Sequence, residues 1–156
     1  MISHDTHLQI GSLLFEGIDQ IDLTGPFEVL SRIPNATYRI YGKTAQPVQD
    51  VRGLHLTPDL TLAEAPQLDV LHVPGGPGQE ALMEDEELLD WLRRQAADAH
   101  SVLSVCTGAL LCGAAAQQNR VQRLGLVVSG EHGFDAQFLS RNSLRRAHSR
   151  DHGKII

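Results

Sequence analysis

Cys106 stands where an apolar run, Ser101-Val102-Leu103-Ser104-Val105, gives way to Thr107-Gly108-Ala109-Leu110-Leu111. A strand that ends in a nucleophile and turns at once into a helix lifts that side chain to the carboxyl edge of a sheet. The helix N-terminus adds roughly half a positive charge and free N–H groups. Together these pull a thiol below its ordinary pKa of about 8.5, so that more thiolate exists at neutral pH. The competing reading is a small core cysteine. Cys112 falls inside the following helical run and reads as packing.

Two further stretches could work with such a thiol. Pro74-Gly75-Gly76-Pro77-Gly78 follows a strand-like run. Glycines at the carboxyl end of a strand let backbone N–H groups approach a developing anion, although a plain tight turn would look the same. The loop lacks the glycine spacing of a dinucleotide site and the Lys of a P-loop. Asp22, in Ile21-Asp22-Leu23-Thr24-Gly25-Pro26, is an acid between apolar residues. Burial would raise its pKa and fit it to shuttle a proton; otherwise it is a helix-start charge. The eight histidines offer less. His148 and His152 are four apart, but Gly153 and nearby arginines disfavour a helical metal site. His72 sits in an apolar run and reads as a satisfied core side chain. With no CxxC and no HExxH, no metal site is expected.

These residues need a scaffold of alternating elements. Residues 8–15, 37–43, 51–57, 69–73 and 101–105 read as strands from short apolar or alternating runs. Thr24-Gly25-Pro26 signals a helix start, with Phe27, Leu30 and Ile33 at helical spacing. Asp85 caps a second helix whose Leu88, Leu89, Leu92 and Ala96 share one face. Residues 107–116, small and apolar, form a third. Strands alternating with helices predict an α/β fold with an open, mostly parallel sheet.

Composition narrows the class. The chain has 156 residues, 42% hydrophobic and 21% charged, about one domain's worth. A net charge of −6 argues against a nucleic-acid partner. No apolar run approaches the roughly 18–20 residues of a membrane span. Met1-Ile2-Ser3-His4-Asp5-Thr6-His7 lacks the basic and apolar parts of a signal peptide. With only two cysteines, this points to a cytoplasmic protein with free thiols. The charge is uneven. Residues 1–116 hold six Lys/Arg and sixteen Asp/Glu; residues 117–156 hold seven and three. So sharp a shift marks a boundary or a tail.

The four stretches Ile21-Asp22-Leu23-Thr24-Gly25-Pro26, Leu68-Asp69-Val70-Leu71-His72-Val73-Pro74-Gly75-Gly76, Ala81-Leu82-Met83-Glu84-Asp85 and Ser104-Val105-Cys106-Thr107-Gly108-Ala109 resemble, in order and spacing, the ThiJ/PfpI superfamily. The resemblance runs from about residue 8 to 116 and is nearest to the isonitrile-hydrating branch. It implies a flavodoxin-like, class I amidotransferase-like sheet with helices on both faces. It implies Cys106 as nucleophile, Asp22 as acid/base, and the N–H groups of Gly76 and Thr107 as anion-stabilising. It also implies a homodimer, an organic isonitrile as small-molecule substrate, and no cofactor. Peptidases and amidases of the superfamily carry His after the cysteine; Thr107 here weakens that reading. A regulatory or thiol stress-sensor domain is the alternative function.

Residues 117–156 depart from the resemblance. Gln117-Gln118-Asn119-Arg120 stands where a small-residue turn is expected, and a divergent basic tail, poorly ordered, follows. A frameshift near residue 117 or a truncation would account for it. The expectation is an incomplete C-terminal part and impaired activity.

Overall fold

The computed structural model describes residues 6–116 and, for backbone only, residues 117 and 126–129. In chain order the elements are β1 (Leu8–Leu14), α1 (Gln20–Leu30), β2 (Ala36–Gly42), β3 (Val48–Gln49), β4 (His55–Leu56), β5 (Leu60–Thr61), β6 (Val70–Val73), α2 (Gln79–Leu82), α3 (Glu86–Asp98), β7 (Ser101–Val105), α4 (Gly108–Gln117) and β8 (Leu126–Ser129). The main sheet has the order β5-β2-β1-β6-β7-β8, and every pair in it is parallel. β3 and β4 form a separate antiparallel pair. This is the open, mostly parallel sheet expected, with the strand order reversing at β1/β6 as in flavodoxin-like folds.

Both faces carry helices, and the strand periodicity shows which residues meet them. Ile10, Ser12 and Leu14 alternate with Gln9, Gly11 and Leu13 along β1. On one face Phe27 of α1 packs edge-on against Tyr38 of β2, with centroids 5.0 Å apart. On the other, Trp91 of α3 meets Tyr41 of β2 at 6.4 Å. There Leu71, Val73 and Val102 join Leu88, Leu89, Leu92 and Ala96 of α3 and Leu111, Cys112 and Ala115 of α4 in the core. Asp85 caps α3 through a hydrogen bond from the Leu88 N–H at 3.2 Å. Arg93, buried, ties α3 to α4 by donating to the Ala115 carbonyl at 2.9 Å.

The structure moves two elements. α1 begins at Gln20, not at Thr24, because Asp19 supplies the cap and buried Leu23 needs a helical first turn. Pro26 therefore lies inside the helix. The strand expected over 51–57 is a hairpin. Asp50 Oδ1 accepts from the Arg52 and Leu54 N–H groups, an Asx-type turn, and Gly53 takes a φ of +91°. α2, β5 and β8 are too short for a periodic signal. β8 falls within the segment expected to diverge, and it extends the sheet beside β7. The remainder of that segment, with His148 and His152, lies outside the described residues. Among the described residues no helix is long and apolar enough to cross a membrane.

Candidate active site

Three loops leave the carboxyl ends of neighbouring strands and lock together. The loop after β1 receives a hydrogen bond from Gly78 N–H to the Gly17 carbonyl at 3.1 Å. It returns one from Asp19 N–H to the Gly75 carbonyl at 3.0 Å. The loop after β6 reaches the turn after β7 through Gly76 N–H, which donates to Thr107 Oγ1 at 3.0 Å. Gly76 has a φ of +131°, and a Cβ there would lie 2.4 Å from Asp19 N, so only glycine fits.

Cys106 sits on the turn between β7 and α4 with a φ of +52°, a left-handed conformation that is rare outside glycine. Its side chain is exposed. Such strain, which costs of order 1–3 kcal/mol, aims a nucleophile away from the strand that carries it. Facing it is Asp22. A Cβ built on Gly75 would lie 2.7 Å from Asp22 Oδ2, 2.8 Å from Thr107 N and 2.9 Å from Cys106 Cβ. Carboxyl, thiol and backbone amide thus surround one point, which the bare glycine leaves open.

The Asp22 carboxyl is held above its ordinary range. Burial is the main cause, and the charge of Asp19 adds to it; the Gly75 N–H and the Cys106 thiol act in the opposite sense without prevailing. Asp22 Oδ2 is buried and takes no hydrogen bond of regular geometry. When it holds a proton, a carboxyl with an unspent oxygen beside a thiol can pass that proton to an atom bound at sulfur.

The expected residues divide on this geometry. Cys106, Asp22 and the Thr107 amide converge. The Gly76 N–H, expected to face an anion, is instead engaged by the Thr107 hydroxyl. The reason is the β6 loop's attachment to the turn, which consumes that donor. Gly75 is the glycine against the reacting groups. Cys112 is buried in α4, and burial pushes its thiol up to about 12. It lines an apolar pocket with Leu71, Leu92, Val102 and Ala115, to which none of Cys106, Asp22 and Gly75 belongs. His72 is fully buried; its Nδ1 lies 2.6 Å from Ser12 Oγ, but its Nε2 has no partner among the described residues. Sequence reasoning missed Asp19. Its signal was present as an N-cap aspartate three residues before Asp22. Among the described residues no group of three or more His, Cys, Asp and Glu is placed to hold a metal.

Comparison with known proteins places these residues in context. The DJ-1/PfpI family matches residues 9–122. An isonitrile hydratase of Pseudomonas putida is 51% identical over 108 residues, which are 69% of this chain and 47% of that protein. The chain thus spans about half the length of that relative. A crystal structure of a ThiJ/PfpI family protein from Pseudomonas syringae superposes with a TM-score of 0.67 at 35% identity, covering 69% of this chain and 46% of the other. The DJ-1 of Schizosaccharomyces pombe shares the fold, with a TM-score of 0.60 at 17% identity over 72% of this chain and 65% of its own.

Proposed function

The chain belongs to the DJ-1/PfpI family, and from that premise we propose that it hydrates organic isonitriles to N-substituted formamides. The observation that carries the reading is the half-buried Asp22, with its Oδ2 buried, set against the strained, exposed Cys106. The 51% identity to the Pseudomonas putida isonitrile hydratase supports the choice of substrate class.

The thiolate of Cys106 adds to the terminal carbon of R–N≡C, forming a carbon–sulfur bond. Asp22 gives its proton to that carbon, and the product is a thioimidate, R–N=CH–S–Cys106. Water adds across the C=N bond, its hydroxyl to carbon and a proton to nitrogen. The adduct collapses, the carbon–sulfur bond breaks, and R–NH–CHO leaves. The hydroxyl proton returns to Asp22, so the cycle closes without a cofactor or metal. The covalent intermediate divides one difficult addition into easier steps. In this reading the Thr107 N–H steadies charge at sulfur or at the adduct oxygen. In this scheme Gly76 acts by holding the loop.

The polypeptide is read as a cytoplasmic homodimer that binds a small molecule and neither nucleic acid nor membrane. Incubation with an alkyl isonitrile should give the formamide, detected by its mass and formyl proton. Cys106→Ser and Asp22→Asn should each abolish turnover. A wild-type protein that makes no formamide, yet oxidises selectively at Cys106 with peroxide, would instead be a thiol sensor.

A further inference from the structure

The proposed hydration needs Asp22 to hold a proton at neutral pH. A carboxyl in the first turn of a helix is poorly placed for that, because the free N–H groups there favour its charged form. Asp22 is in the first turn of α1. Asp19 stands on the same turn. It caps α1, its Oδ1 accepting from the Ile21 N–H at 3.4 Å. Three residues before Asp22, it shares that residue's side of the helix. The Asp22 N–H donates to the Asp19 carbonyl at 3.1 Å.

Its position is fixed from outside the helix as well. Asp19 N–H is bonded to Gly75, and Gly76 packs on that nitrogen. The cap is therefore attached to the same loop that sets Gly75 against the Asp22 carboxyl. The ionisable groups acting on Asp22 are Asp19 from its own helix and Cys106 from the β7 turn. The loop after β6, Pro74-Gly75-Gly76-Pro77-Gly78, has none.

We propose that Asp19 is a positioning residue for the hydration: its carboxylate keeps the proton on Asp22, ready for the carbon that Cys106 attacks. This rests on the reaction proposed above. The division of labour follows from place. The cap carboxylate sits at the positive end of α1, and burial favours the neutral form of the carboxyl beside it. Asp19 is the second cause, after burial, that raises Asp22.

Charge and capping separate cleanly by substitution. Asparagine caps a helix as well as aspartate but carries no charge; glutamate keeps the charge but caps poorly. The full chain, labelled with 13C-aspartate, is titrated by NMR, with the Asp22 carboxyl signal assigned through Asp22→Asn. In Asp19→Asn the Asp22 midpoint should move to lower pH, and the loss of formamide production at high pH should move with it. Asp19→Glu should keep both near the wild-type positions. An unmoved midpoint in Asp19→Asn overturns the proposal; so does an equal shift in Asp19→Glu, which would assign the effect to the cap. Should Asp19→Asn fail to fold, Asp19→Ser supplies a second neutral cap, with the same outcomes. Failure of the hydratase reading shows separately, as a wild type that titrates but makes no formamide.

Discussion

The two thiols differ in exposure and in setting. Cys106 is exposed at a helix start, whereas Cys112 is buried and its pKa is pushed up to about 12. Iodoacetamide under native conditions should therefore label Cys106 first, as peptide mass mapping would record; faster labelling of Cys112 contradicts the site. Gly75 gives a sharper test. The methyl of Gly75→Ala would press on Asp22 Oδ2, Thr107 N and Cys106 Cβ at once, and the amide is backbone that cannot swing aside. A displacement of about 1 Å at reacting groups can cost about 10²-fold in rate. Gly75→Ala should thus lose roughly two orders of magnitude in kcat while its urea midpoint changes little by comparison. At this scale the sequence was informative about Cys106 and Asp22, because a strand–helix junction and an acid among apolar residues are local signals. It could not separate Gly75 from Gly76. Which glycine lies against Asp22 and Cys106 depends on how Gly76 is tied to the Thr107 hydroxyl across thirty-one residues of chain.

Elements show the same contrast between local and distant causes. α3 was legible because Asp85 and the four apolar positions that follow act within one helix. Asp85→Ala should cost about 1 kcal/mol from the lost cap, read from urea unfolding. The exposed Lys43 partner adds little to that. α1 was misplaced because its start is decided by Asp19 and by Leu23's burial against the sheet, and neither competes locally with Thr24-Gly25-Pro26. The sheet itself holds a buried polar chain that no pattern announced. Tyr38 of β2 hydrogen-bonds Ser12 of β1, which meets His72 of β6. Burial lowers His72 from 6.5 to about 4. Between those values the unfolded chain takes up a proton that the folded one refuses, so stability falls as pH falls through that window. The loss should approach ~3 kcal/mol at its acid end. Urea midpoints measured from neutral pH down to about 4 should fall more steeply for wild type than for His72→Gln.

Over the whole molecule, the alternation of strands and helices made the fold class readable from 8 to 116, since each unit carries its own period. The separate β3–β4 hairpin and the two-residue β5 were not readable, because turn chemistry and pairing with β2 create them. The described surface keeps several large apolar side chains in the open: Ile21, Phe27 and Val29 on α1, Val51 and Leu54 on the hairpin, and Leu110 on α4. A homodimer would cover part of this area. Sedimentation should show a dimer that Val29→Glu weakens, with the pure monomer at all concentrations as the contrary result. The parallel register has a kinetic consequence. Ser12 pairs with His72 sixty residues on, and β7 must add to β6 before the turn at Cys106 has anything to press against. No hairpin within the main sheet can assemble the site early, and such non-local pairing is slow to form. A chain emerging from the ribosome therefore has no Asp22–Cys106 pair until β1, β6 and β7 have come together, and the arrival of Asp22 beside the thiol serves as a clock for completed folding of these strands.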